Sequence, residues 1–283
     1  MTTRESTEIT DIDTPAFVPM LLPPDSPAVS GTRWFWVQDG QVAITDLSPE
    51  DGWPTHFLGM LGTEACWAVE VPAGHAGPSD RDYVDLRRLW GEVELVEWTV
   101  AGRAVQLVAW AATHRFCGRC GEATAPAPGD RAMRCTGCGL LAYPRLAPAV
   151  IALVHRHTDE RGDEVLLARG VQFALPMFSC LAGFVEPGET LEAAVAREVF
   201  EEVGVRVDDV TYQGSQPWPF PHSLMIGFFA RWVEGDLLID PNEIAEAGWF
   251  TRDELPPIPP SISIARKLID RWLAAGDDRR SPG

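Results

Sequence analysis

The sequence predicts an α+β multidomain chain with a small β-rich N-terminal domain, a four-cysteine metal ribbon and a C-terminal domain of alternating strands and helices. Three observations carry this. Short apolar runs broken by turn signals fill residues 34–89, two Cys-x-x-Cys pairs lie at 117–138, and strand-like runs alternate with amphipathic stretches from Pro148 onward. With 283 residues, 46% of them hydrophobic, a packed core is feasible and global disorder is not expected. The formal charge of -18 opposes a general nucleic-acid-binding face, which needs clustered positive charge. A local basic pocket for one small anion stays compatible with it.

Residues 1–30 are rich in Pro, Thr and Asp and read as a loosely ordered lead-in. The first thirteen carry no basic or apolar segment of the kind that directs secretion, and no apolar run reaches the length of a membrane span. A cytoplasmic protein with no membrane partner is the expectation. The N-terminal domain is placed at 31–114. Trp34–Val37, Gln41–Leu47 and Cys66–Val71 are its strands, with a hairpin at Asp39-Gly40. Most of Glu92–His114, Ala-rich and apolar-periodic, is read as helix.

The ribbon is placed at 115–146. Cys117-Gly-Arg-Cys120-Gly and Cys135-Thr-Gly-Cys138-Gly are matched turns, and four thiolates at this spacing can close a tetrahedral zinc site. Full thiolate coordination leaves no open position, so such a zinc is structural. Disulfides, a redox pair, or iron in place of zinc are the competing readings. Cys66 and Cys180 stand apart.

The C-terminal domain is placed at 147–275. Val150–Val154, Val165–Leu167, Ser223–Val233 and Gly248–Phe250 read as strands, and Leu191–Val203 as a helix closed by Gly204. Pro256–Pro260 is a rigid connector, Ser261–Ala275 a final amphipathic helix, and 276–283 a frayed tail.

The most informative stretch runs Gly183-Phe-Val-Glu-Pro-Gly-Glu189, then Arg197-Glu198-Val-Phe-Glu201-Glu202-Val-Gly204. At ~100° per residue, Glu198, Glu201 and Glu202 share one quarter to one third of the helix circumference. Leu191, Val195, Val199 and Val203 form the neighbouring apolar stripe, with Glu202 at its edge. An unpaired carboxylate there is costly, and three together repel one another. Hard divalent cations, Mg²⁺ or Mn²⁺, would relieve both problems. A solvated acidic face is the bland alternative. Against it, a Gly-rich loop feeds the helix, and Arg197 can reach back to Glu189 to fix that loop.

A second stretch, Ser215-Gln-Pro-Trp-Pro-Phe-Pro-His-Ser223, reads as a stiff loop presenting Trp218 and Phe220 for stacking on a base or similar ring, or else as a simple cap on the core.

Residues 183–205 resemble the Nudix box at every specified position. The resemblance implies a Nudix α/β/α sandwich with a mixed sheet and hydrolysis of a nucleoside diphosphate derivative. It also implies direct metal ligation by Glu198 and Glu202, with Glu201 as third ligand or aid to the attacking water. The Ala182 carbonyl would be a further ligand, and Glu189 and Arg197 would hold the loop. Residues 215–223 are similar to the substrate loop of the NADH pyrophosphatase branch, which also carries a four-cysteine ribbon in this order. That resemblance covers about residues 80–270. It implies cleavage of NADH or NAD⁺ to nicotinamide mononucleotide and AMP by a homodimer, with NAD-capped RNA 5′ ends as a further substrate. It assigns substrate contacts to Gln216, Pro217, Trp218, Pro219, Phe220, Pro221, His222, Ser223, Tyr143 and Ala265, and a downstream metal carboxylate to Glu243. Phe184, inside the box, joins the substrate side, as does Arg88, with Arg87 competing. Another Nudix substrate such as ADP-ribose, or a non-catalytic binding regulator, are the alternatives.

Overall fold

The computed structural model describes residues 17–24, 29–172 and 176–280. They fall into two compact units, one of 147–218 and 223–280, the other of the described residues up to 146 together with 219–222.

The N-terminal unit is built on a six-stranded mixed sheet. Its strands are β1 (Phe17–Pro19), β2 (Gly31–Gln38), β3 (Gln41–Thr45), β4 (Thr55–Leu61), β5 (Glu64–Glu70) and β6 (Val84–Asp85), in the order β1-β4-β5-β2-β3-β6. The β2–β3 hairpin turns at Asp39 (φ 50°) and Gly40 (φ 78°), the two left-handed positions that a tight hairpin requires. The lead-in expected at 1–30 differs where it is described, because Phe17–Pro19 pairs with β4; residues 1–16 and 25–28 lie outside the described residues. That pairing has a physical basis at Gly59. There φ is +144° and an added Cβ would sit 2.2 Å from the Val18 carbonyl oxygen, so only glycine lets the strands close up. After the one-turn α1 (Leu86–Leu89) comes α2 (Leu95–Thr113), buried on nearly every side through Trp98, Val100, Ala101, Ala104, Leu107, Val108 and Ala111. Apolar over most of its circumference, it is the unit's core helix.

Three short strands, β7 (Thr124–Pro126), β8 (Met133–Cys135) and β9 (Leu141–Ala142), form a separate antiparallel sheet carrying the cysteines.

The C-terminal unit has a mixed sheet flanked by helices on both faces. Strands β10 (Ala147–Thr158), β11 (Gly162–Gly170), β13 (Arg206–Trp218), β14 (Ser223–Glu234) and β15 (Ile244–Thr251) take the order β13-β14-β10-β11-β15, and β12 (Leu181–Phe184) pairs with β10. The β10–β14 pair is parallel and the others antiparallel. Period-two alternation splits β10 between two cores. Val150, Ala152 and Val154 pack with Ala194, Val195, Val199 and Val203 of α3 (Leu191–Val203). Ile151 and Leu153 pack with Ile264, Leu268, Ile269 and Trp272 of α4 (Ile264–Arg280).

Three expectations are corrected here. The stretch 215–223 is not one loop: β13 runs to Trp218, β14 begins at Ser223, and only Pro219–His222 form the connection. Pro217 is tolerated because β13 is an edge strand, where a missing N–H breaks no ladder. The last helix starts at Ile264, with the Ala265 amide capped by the Ser263 hydroxyl at 3.0 Å. It continues through Arg280 rather than ending at Ala275, since propagating a helix already nucleated by its buried half is easy. Among the described residues, no helix is long and apolar enough to cross a membrane.

Candidate active site

The loop between β12 and α3 is organised by one arginine. Arg197 binds Glu189 through two bonds, Nε to Oε1 at 2.7 Å and Nη2 to Oε2 at 2.9 Å. It also donates to Glu198 Oε1, Glu201 Oε2 and the Phe184 carbonyl, each at 2.9 Å. Glu189 accepts a further bond from the Glu186 amide at 3.1 Å. The Arg197 guanidinium beside it holds the Glu189 carboxyl down at about 2. Thr190 caps α3 by accepting from the Ala193 amide, and Gly204 ends the helix at φ 76°. The loop is therefore fixed at both ends by charge-assisted bonds and by capping.

Gly183 leaves room for a side chain that packs on it. A Cβ there would lie 1.9 Å from the Glu198 carboxyl carbon, so this carboxylate rests directly on the β12 backbone. Glu202, on the same helix face, is only 8% exposed, and its Oε2 has no hydrogen-bond partner. Desolvation, reinforced by the charges of Glu198 and Glu243, pushes its pKa up to about 8, against hydrogen bonding from the Ala182 backbone. Burial also raises Glu198. Glu243 lies far along the chain, yet it is brought in because the segment before β15 is tied to the end of α3. The amides of Leu238 and Asp240 donate to the carbonyls of Val203 and Glu202, both at 2.9 Å.

A buried, partnerless carboxylate oxygen amid like charges fits a divalent cation, and an all-oxygen donor set suits a hard one. Among the described residues, the cysteines are the one group of three or more ligands drawn within 4.8 Å of one another. Arg197 pairs with both Glu198 and Glu201.

The raised pKa of Glu202 has a consequence for pH dependence. Because the native group binds its proton more tightly than the unfolded one, its contribution to stability is present at low pH and is lost as pH rises from the normal carboxylate range through about 8. A cation held by Glu202 would have to displace that proton. The gain in melting temperature on adding Mg²⁺ should thus be larger at pH 8.5 than at pH 6. An equal gain at both, by thermal melts, would remove the proton–metal competition.

The remaining expected site residues divide. Ala182 is half-buried on β12 and Phe184 is exposed. Gln216 is buried, with Nε2 donating to the Ile262 carbonyl at 2.7 Å, and Ser223 is buried at the start of β14. Ala265 is 1% exposed and belongs to the core beneath α4. Pro217 and Trp218 end β13. Pro219, Phe220, Pro221 and His222 belong to the other unit, where a Cβ on Gly102 of α2 would meet Pro219 Cγ at 3.0 Å. Over the Phe220 ring lies the Arg87 guanidinium, 3.7 Å from its centroid. Of the two neighbouring arginines, both exposed, Arg87 is the one that contacts Phe220. Tyr143 is exposed and donates to Asp130 at 2.8 Å. Sequence reasoning missed the 238–240 tie and the Arg87 contact, for neither leaves a periodic or motif signal.

The cysteines form two pseudo-equivalent knuckles. Cys117 Sγ lies 3.7 Å from Cys138 Sγ, and Cys120 Sγ lies 3.4 Å from Cys135 Sγ. Thiolates at ~2.3 Å from a tetrahedral zinc would be about 3.8 Å apart. In each knuckle the glycine after the second cysteine, Gly121 or Gly139, is left-handed and returns its amide to the first cysteine's carbonyl. The amides of Arg119 and Cys138 donate to Cys117 and Cys135. Backbone donors lower the pKa of both thiols, favouring thiolates. All six cysteines are free.

Comparison with known proteins agrees with this anatomy. Residues 145–272 match the NUDIX domain, 112–143 the NADH pyrophosphatase zinc ribbon domain, and 20–110 an NADH pyrophosphatase-like rudimentary NUDIX domain. The chain belongs to the Nudix hydrolases, in the branch defined by the NADH pyrophosphatase zinc ribbon. It is similar to proteins named NAD-capped RNA hydrolase NudC. The Deinococcus radiodurans protein is 45% identical over 254 residues, covering 88% of this chain and 90% of that one. The Pseudomonas fluorescens (strain Pf0-1) protein is 40% identical over 281 residues, covering 97% and 96%.

Proposed function

We propose that this protein hydrolyses the pyrophosphate bond of NADH or NAD⁺, giving nicotinamide mononucleotide and AMP, and that it also removes NAD caps from RNA 5′ ends. The observation that carries the hydrolytic reading is the buried Glu202 carboxylate, with one oxygen unpartnered, beside the charges of Glu198 and Glu243. The substrate reading is supported by the likeness to NAD-capped RNA hydrolases along nearly the whole chain.

In this reading Glu198, Glu202, Glu201 and Glu243, with the Ala182 carbonyl, would hold a hard divalent cation, Mg²⁺ or Mn²⁺, which would supply charge neutralisation at the pyrophosphate and a lowered pKa for the attacking water. Arg197 and Glu189 keep the 183–189 loop fixed. Trp218 and Phe220 are the aromatics read as stacking on a ring, Arg87 steadies Phe220, and Gln216 and Ala265 act through packing. Tyr143 and Phe184 stay on the substrate side. The three-part division at 31–114, 115–146 and 147–275, zinc in the ribbon, assembly as a homodimer and a cytoplasmic location complete the reading.

The test is steady-state kinetics on NADH, NAD⁺, ADP-ribose and NAD-capped RNA. Replacing Trp218 or Phe220 by Ala should lower kcat/KM for NADH by roughly 5- to 150-fold, as loss of a stacked aromatic does. The loss on ADP-ribose, which lacks the nicotinamide ring, should be much smaller. Equal losses on both would leave the nicotinamide assignment unsupported, and wild-type preference for ADP-ribose would overturn it.

A further inference from the structure

The N-terminal unit contains a group of hydrogen-bond donors that the proposed reaction does not use. Arg103, Gln106 and Trp110 lie on α2 within about 60° of one another around the helix axis. On this otherwise apolar helix, Arg103 and Gln106 are half-buried and Trp110 is 7% exposed. Arg103 Nε, Gln106 Nε2 and Trp110 Nε1 are each buried without a hydrogen-bond partner among the described residues. His56 Nε2, on the β4 strand against which α2 packs, is in the same position.

Charge sharpens the point. Arg103 feels the positive charge of Arg131, and burial with that charge pulls its pKa down to about 10. Among the described residues neither arginine pairs with a carboxylate. Arg131 is fixed by the carbonyls of Phe57 at 2.9 Å and Met20 at 2.5 Å, so it is ordered without being neutralised. The acid that reaches His56 is Glu70, and Glu70 is already paired with Arg115. In a chain of net charge -18, two neighbouring guanidiniums without an acid are anomalous. Buried cations are ordinarily paired, and buried donors ordinarily bonded.

We infer that Arg103, Gln106 and Trp110 of α2, with Arg131 and His56 beside them, form an anion site that takes a phosphate group. A guanidinium fork, a carboxamide and an indole N–H all donate and none repels an oxyanion, and a tetrahedral phosphate accepts from several directions at once. The source is either free phosphate or the phosphate of a nucleotide chain. The site lies within the N-terminal unit and does not depend on the reading of the box.

The experiment follows the arginine Nε–H and tryptophan Nε1–H signals by NMR in the ¹⁵N-labelled, zinc-loaded full chain without Mg²⁺. Inorganic phosphate is titrated at constant ionic strength, with chloride as control. Saturable shifts of the Arg103 and Trp110 signals are expected, assigned by Arg103→Met and Trp110→Phe. Arg103→Met should weaken the response of the remaining signals by at least about tenfold, the loss typical of a charged hydrogen bond. Gln106→Leu gives a second test if Arg103→Met does not fold, with a smaller weakening expected. A 5′-phosphorylated oligoribonucleotide forms the second arm: shifts at lower concentration than with phosphate identify a nucleotide chain, and shifts with inorganic phosphate alone identify the free ion. Absence of saturable shifts from both ligands, or unchanged shifts in the folded variants, overturns the site.

Discussion

Replacing Glu202 by glutamine is expected to cut turnover by on the order of 10³-fold while leaving the fold intact. The substitution preserves volume and hydrogen-bonding capacity but removes the charge. In the absence of metal that removal is favourable, because Glu202 is buried, partnerless on one oxygen and pushed up to about 8 by desolvation and by Glu198 and Glu243. The variant should therefore melt at or above the parent temperature in EDTA. With saturating Mg²⁺ the order should reverse, since only the parent gains a ligand bond. The opposite signs of the two effects separate a metal ligand from a structural carboxylate. Turnover within about tenfold of the parent at saturating Mg²⁺ would sink the assignment.

Cys135→Ser is expected to lower bound zinc and thermal stability together. The four sulfurs are drawn within 4.8 Å, and the knuckles are held by glycines that a zinc-free chain has little reason to order. Binding free energy at such a site is folding free energy, roughly 10–16 kcal/mol in isolated zinc peptides. Losing one ligand should forfeit several kcal/mol of it, lowering the melting temperature by about 10 °C or more. Catalysis by the fraction that remains folded should persist, because the cysteines take no part in the chemistry proposed at the Nudix box. A variant as stable as the parent but inactive would make the metal catalytic.

What was legible in the sequence was local. The bounds of α3 and its Gly204 cap follow from apolar spacing and a left-handed glycine, and the Asp39-Gly40 hairpin from turn chemistry. The cysteine knuckles and the Arg197–Glu189 tie follow from spacing within one motif. The Nudix resemblance itself rests on such short-range pattern, which is why the reaction class was readable. Three prolines, by contrast, suggested a loop over 215–223 where the tertiary structure has an edge strand, because whether an N–H is needed depends on which neighbour the strand acquires.

The sequence by itself determined the order of the modules, the carboxylate helix and the two cysteine knuckles, since each is set by residues a turn or a few turns apart. Only the tertiary structure decided where distant residues landed. Glu243 joins Glu202 because the 238–240 amides bond the end of α3, Arg87 rather than Arg88 covers Phe220, and Ala265 is sealed into the core. It also decided that one Glu202 oxygen is buried without a partner and that Arg103 feels the charge of Arg131 with no carboxylate paired to either among the described residues. Burial and long-range proximity are properties of packing, and packing is a cooperative outcome of the whole unit that no single stretch encodes.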